Sequence, residues 1–108
     1  MMRMSVQTQA LLAALLADPP RERYGLDLSK EAGLPSGTIY PILARLEASG
    51  WIDSEWEDID PVAEGRRPRR YYRLTGEGEA AARSVLEETA RRLTPALRRS
   101  LPTPGMAQ

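Results

Sequence analysis

Apolar residues recur at helical spacing in four stretches of this chain and alternate with polar ones in two. From Ser5 to Ala17, Leu11, Leu12, Leu15 and Leu16 fall on one face when plotted at 100° per residue, which predicts a helix. Its other side carries Ala10, Ala13 and Ala14 instead of charges. A helix apolar on both sides has two neighbours, and in so short a chain a second subunit is one candidate. The plainer reading is that alanine is a good helix former. Asp18-Pro19-Pro20 ends the helix. Tyr24 to Ala32 predicts a second, short helix with Leu26 and Leu28 among its apolar residues and Gly33 just past its end.

The stretch Leu34 to Glu47 organises the rest. Ile39, Ile42, Leu43 and Leu46 lie in one arc that must face a core. The opposite arc holds Gly37, Pro41, Ala44 and Ala48, flanked by Thr38, Tyr40 and Arg45. Solvated helix faces usually carry long charged side chains. A face of small residues with a few hydrogen-bonding groups lets the helix approach another surface, and a DNA major groove is wide enough to admit it. Ser36 and Thr38 are both candidate N-caps. If Ser36 caps, Pro41 lies one turn in and deprives the Gly37 carbonyl of its bond; if Thr38 caps, Pro41 costs little. Either way the amino end is irregular and rich in free N–H groups, which suits a phosphate.

Ser49-Gly50 closes this helix. Trp51 to Asp58 then alternates, with Ile52 and Trp56 on one side and Asp53, Glu55 and Glu57 on the other. A loop with Pro61, Gly65 and Pro68 leads to Arg70–Leu74, which alternates again with Tyr72 and Leu74 on one face. Helix, short turn, bare-faced helix and two strands predict a mainly α fold with a small β-hairpin, a winged helix-turn-helix. Trp51 and Trp56 are expected to pack in the core or the wing.

Thr75 predicts the cap of a last helix, with Glu77 and Glu79 near its positive end. Its stripe reads Ala82, Leu86, Ala90, Leu93, Leu97, opposite Glu87, Glu88, Arg91 and Arg92. Glu87–Arg91 and Glu88–Arg92 are i,i+4 pairs worth roughly 0.2–0.5 kcal/mol each, so the apolar stripe decides where the helix goes. The stripe outruns what the winged unit needs. A C-terminal dimerisation helix is expected, with Leu86, Ala90, Leu93 and Leu97 meeting a second copy alongside Ala10 and Ala14. The alternative is packing on its own domain. Pro95 either kinks this helix or starts a new turn capped by Thr94. The expected organisation is a winged helix-turn-helix over 1–75, a dimerisation helix over 76–101 and a flexible tail over 102–108.

Composition narrows the function. The chain has 108 residues with no cysteine and no histidine, which removes thiolate and imidazole metal sites, Cys and His nucleophiles and the usual general base. Neither a metal nor a cofactor is expected. An enzyme is not expected either: Asp58 and Asp60 are the best candidate carboxylates, on a loop without a partner base. No segment approaches the ~18 apolar residues of a membrane span and no signal-peptide pattern is present, so no membrane partner and a cytoplasmic location are expected. Fifteen basic residues balance fifteen acidic ones, so any nucleic-acid signal is local. It lies at Arg66, Arg67, Arg69, Arg70 and Arg73, after the acids Asp58, Asp60 and Glu64. The bland reading is a hairpin whose arginines pair with those acids. The wing position favours a phosphate or minor-groove contact, with Arg66 and Arg67 reaching out and Arg73 on the strand face.

Several of these residues together resemble the PadR family of transcriptional regulators: Tyr24-Gly25, the run Gly33 to Glu47 with its Gly37-Thr38-Ile39-Tyr40-Pro41 core, Gly50-Trp51-Ile52, and Arg70-Tyr71-Tyr72-Arg73-Leu74-Thr75 with Gly78. The resemblance covers roughly residues 5 to 82. It implies a winged-helix homodimer on double-stranded DNA, usually a repressor, often released by a small-molecule effector whose identity the residues do not give. It places Ser36, Thr38, Tyr40 and Pro41 at the DNA-facing end of the recognition helix and Arg66 to Arg70 in the wing. Gly37 shares that face, and Arg45 is expected to anchor a phosphate while Thr38 and Tyr40 touch base edges or phosphates. The single C-terminal helix resembles the compact branch, whose drug-responsive members have an aromatic-lined pocket at the dimer interface. The last helix here has no Trp, Tyr or Phe, so no stacking pocket is expected on it. The alternative is a winged-helix protein-interaction module without DNA binding.

Overall fold

The Ser5 hydroxyl accepts the Thr8 amide at 3.1 Å and so starts the first helix, α1 (Val6–Leu16). The computed structural model describes residues 4–100; the expected tail lies outside them. A two-residue strand β1 (Arg23–Tyr24) precedes α2 (Gly25–Ala32) and α3 (Ser36–Ala48). Strand β2 (Ile52–Trp56), a short helix α4 (Pro61–Glu64), strand β3 (Arg70–Leu74) and a long helix α5 (Gly76–Ser100) follow. The expected hairpin is therefore a three-stranded antiparallel sheet in the order β1-β3-β2, with Arg23 opposite Tyr72 and Trp56 opposite Arg70. Tyr24 belongs to the sheet and not to the second helix.

The core sits where α1, α2 and α3 meet the sheet. Leu11, Leu12, Leu15, Leu28, Ile39, Ile42, Leu43, Leu46, Ile52 and Leu74 are all buried there. The arc of α3 is the one the 100° plot selects. Neither Ser36 nor Thr38 caps it: the cap position is Pro35, whose carbonyl accepts from the amides of Thr38 and Ile39 at 3.0 and 3.2 Å. Pro41 thus lies inside the helix. Its missing N–H costs about 3 kcal/mol in a helix interior. Four buried aliphatic side chains, at roughly 1.5–3 kcal/mol each, offset that cost.

Gly33 ends α2 at φ 69°, a left-handed conformation that glycine adopts freely, and its amide bonds back to the Lys30 carbonyl. Arg23 is buried, and its guanidinium joins the Ala14 carbonyl, the Asp18 carbonyl at 3.1 Å and the Glu31 carboxylate at 3.1 Å. A cation is favourable against the carbonyl end of α1.

Thr75 starts α5: its Oγ1 accepts the Gly78 amide at 2.9 Å, and its own amide donates to the Trp51 carbonyl at 3.0 Å. Gly78 is required there, because a Cβ on it would stand 1.8 Å from the Trp51 carbonyl oxygen. The first half of α5 lies on α1, through buried Ala82, part-buried Leu86 and a 2.6 Å hydrogen bond from the Thr89 hydroxyl to Gln9 Oε1. The helix then runs through Pro95 without a break, and every residue from Arg91 to Ser100 is exposed. Glu88 takes both Arg92 at 3.1 Å and Arg91 at 2.6 Å, so the expected Glu87–Arg91 pair is replaced by an i,i+3 one.

Candidate nucleic-acid interface

The outer face of α3 is continuous and bare. Ser36, Gly37, Tyr40, Pro41, Ala44 and Arg45 are exposed, and Thr38 is half-buried at its edge. The amides of Ser36 and Gly37 precede the first bonded turn and have no partner in the helix. Pro41 adds a ring and no donor. Arg45 makes no ion pair among the described residues. Tyr40 leans on α2, against Gly25. A Cβ there would come within 2.6 Å of the phenol, so glycine at the start of α2 leaves room for that ring.

The wing divides its arginines into held and free. Glu57, just past β2, accepts Arg66 Nη1 at 2.6 Å and Nη2 at 3.1 Å, the Tyr24 hydroxyl at 2.7 Å and the Arg69 amide at 2.8 Å. These donors, Arg66 first, hold the Glu57 carboxyl at about 2, well below its ordinary value. The same carboxylate raises the Arg66 guanidinium and the Tyr24 phenol. Arg70 is held too: Nε donates to Ser54 Oγ at 2.8 Å and Nη2 to Glu47 at 3.2 Å, while Ser54 donates to Glu47 at 2.7 Å. This triangle fastens the wing to α3. Arg73 lies on the strand face with Glu22 at 3.0 Å and Glu55 at 3.9 Å. The side chains of Arg67 and Arg69 are exposed and make no ion pair among the described residues.

Sequence reasoning therefore placed the cluster on the wing but not its division. Arg66, expected to reach outward, is folded back onto Glu57. The partner acids are Glu57, Glu47, Glu22 and Glu55, not the Asp58, Asp60 and Glu64 that run ahead of the arginines. Trp51 packs against the core, whereas Trp56 does not: it is 62% exposed, with the Arg70 guanidinium of the wing over its ring. Trp56 is on the core side of β2 with Ile52, as alternation requires, but there it borders an open groove with Leu26 and Tyr40. Leu26, on the first turn of α2, is also exposed. Alternation gave a signal for Trp56's face and none for its depth.

Among the expected dimer-contact residues, Ala14 and Leu86 pack against this chain's own core, Ala10 is half-buried, and Ala90, Leu93 and Leu97 are exposed. No group of His, Cys, Asp and Glu among the described residues is arranged to hold a metal ion. None of the described helices is long and apolar enough to cross a membrane.

The family model for the transcriptional regulator PadR-like family matches residues 11–84, which takes in α1 to the first turns of α5. The chain belongs to the PadR-like family. A PadR family regulator from Eggerthella lenta superposes with a TM-score of 0.65 at 31% identity, over 91% of this chain and 87% of that one. The transcriptional regulator Rv3488 of Mycobacterium tuberculosis is 48% identical over 58 residues, 51% of this chain. The chain matches about half the length of that curated relative. The PcaV regulator of Streptomyces coelicolor, solved with its natural ligand, superposes with a TM-score of 0.74 at 25% identity, over 96% of this chain and 67% of that one. That family is one of transcriptional regulators, and the relatives named here are described as such.

Proposed function

We propose that this PadR-like chain binds duplex DNA as a homodimer and represses transcription from a near-palindromic operator. The observation that carries this reading is one surface. It joins the bare face of α3, with its unbonded Ser36 and Gly37 amides and Arg45, to the wing through the groove that Tyr40 and Arg69 both line, and Arg67 stays exposed farther out on the wing. In the proposed complex α3 enters the major groove, Arg45 and the helix amino end meet phosphates, and Thr38 and Tyr40 meet base edges or phosphates. The wing adds minor-groove or backbone contacts.

The dimer is proposed from α5, where Leu93 and Leu97 stay 51% and 48% exposed on the turns beyond the body of the chain. Pairing that stripe with a second copy would bury it and set two recognition helices about one turn of DNA, ~34 Å, apart. The winged unit over 1–75 and the dimerisation helix over 76–101 are then the two working parts. PcaV was solved with a ligand, and a small-molecule effector is proposed here by that likeness. A regulator of this kind acts in the cytoplasm, where bacterial operators lie.

Fluorescence anisotropy on the duplex upstream of the chain's own gene, against a scrambled duplex, tests the reading. A strong preference for the promoter, with log K falling linearly in log salt, is expected. Equal, weak binding to both duplexes at every salt would overturn it in favour of a protein-interaction module.

A further inference from the structure

Three large apolar side chains that a folded core would ordinarily claim, Leu26, Tyr40 and Trp56, surround one open groove of about 400 Å³ between α3 and the wing. Two arginines lie on it: the Arg70 guanidinium is 5.6 Å from the centre of the Trp56 ring, and that of Arg69 is 5.4 Å from the centre of the Tyr24 ring. Among the described residues no acidic side chain lines the groove, although the chain carries as many acids as bases. Arg70 is committed to Glu47 and Ser54. The Arg69 guanidinium makes no hydrogen bond or ion pair among the described residues and keeps its charge for a ligand.

We propose that this groove is a saddle for one sugar–phosphate strand. Its apolar floor would pack against deoxyribose C–H groups while Arg69 takes a phosphate. The inference rests on the DNA-binding reading and adds Leu26 and Trp56 to the contacts proposed there, with the phosphate taken by Arg69 placed between the recognition helix and the wing. Major and minor grooves are separated by a single backbone strand. A protein with a helix in one and a wing in the next must let that strand cross the surface between them. Tyr40 belongs both to the bare face of α3 and to the groove, and Arg69 belongs to the wing, so the groove lies on that crossing. Its chemistry matches what a strand presents, apolar sugar edges and anionic phosphates in alternation. Its open shape suits an extended occupant. A small molecule needs most of its surface enclosed, and here Leu26, Tyr40 and Trp56 remain exposed around the opening.

The test is a salt series of promoter-duplex anisotropy with the full chain, Trp56→Ala and Arg69→Ala, together with acrylamide quenching of tryptophan in the free and DNA-saturated states. Trp56→Phe isolates the share of Trp56 from that of Trp51, and circular dichroism checks that each variant is folded. Trp56→Ala is expected to weaken binding roughly fivefold at every salt with the slope unchanged, because it removes apolar burial and no charge. Arg69→Ala is expected to reduce the slope by about 0.9. Trp56 is expected to become shielded from acrylamide on the duplex. If the wild-type chain binds the duplex while Trp56 stays as quenchable as before and Trp56→Ala loses nothing, the saddle is overturned and the DNA-binding reading survives. If the wild-type chain binds no duplex even at low salt, that reading falls as well. Shielding of Trp56 by 1-naphthoate but not by duplex would overturn the saddle and assign the groove to a small aromatic anion.

Discussion

Arg66 and Glu57 meet as a two-pronged ion pair, the guanidinium donating to both carboxylate oxygens at 2.6 and 3.1 Å. Nine positions separate them, and the pair closes the loop that carries α4 and the wing tip. Glu57 is 11% exposed, less than the 33% of Arg66, so the carboxylate is the fixed post and the arginine the strap. The Tyr24 hydroxyl and the Arg69 amide use the remaining acceptor capacity of the same carboxylate. One acid on the trailing end of β2 therefore orders β1, the loop and the start of β3.

The pH dependence of this clamp has a definite sign. Folding lowers the Glu57 carboxyl from its ordinary 4.5 to about 2. The stabilisation is therefore complete above about pH 4.5 and lost as pH falls towards 2. Thermal melts of the wild-type chain and Glu57→Gln across this range should show a gap in Tm that is full at neutral pH and closes with acid. A gap that is constant with pH would remove Glu57 as the titrating group.

The division of the wing arginines predicts unequal salt effects. Arg67→Ala should reduce the slope of log K against log salt by about 0.9, the share of a single neutralised phosphate. Arg66→Ala should change that slope less and lower Tm more, because its guanidinium is spent on Glu57. Equal slopes for the two variants, measured by anisotropy, would mean that the clamp opens on DNA.

Two nearby glycines, Gly76 and Gly78, should respond oppositely to a methyl group. Gly78→Ala drives a Cβ into the Trp51 carbonyl oxygen, an overpacking that costs about 1–3 kcal/mol. A Cβ on Gly76 meets nothing within 4 Å, and alanine there should be neutral or stabilise by about 0.4–1 kcal/mol through the unfolded chain. Urea unfolding midpoints of the two variants check both.

The exposed end of α5 predicts oligomeric behaviour. Leu93→Asp combined with Leu97→Asp should halve the mass seen in sedimentation at micromolar concentration and weaken operator binding, with far-ultraviolet circular dichroism little changed. A mass that stays the same in the double variant would move the proposed dimer interface elsewhere, to the region of Ala10 and Ala14.

What the sequence determined by itself is what depends on local period. A helix brings Ile39, Ile42, Leu43 and Leu46 to one side whatever surrounds it, so the core face and the bare face of α3 were both readable. Alternation likewise put Tyr72 and Leu74 together on β3, and the residue types around them made the winged fold and its family legible. Tertiary structure alone decided the rest, because those features rest on distances between residues far apart in the chain. Arg23–Tyr24 is too short to show a period, and it becomes a strand only by pairing with Tyr71 and Tyr72. Trp56 follows the correct alternation, yet it is exposed because it stands on an open groove with Leu26 and Tyr40 and outside the core. Which arginine is free depends on a loop that carries Arg66 back to Glu57, and charge order along the chain contains no information about that closure.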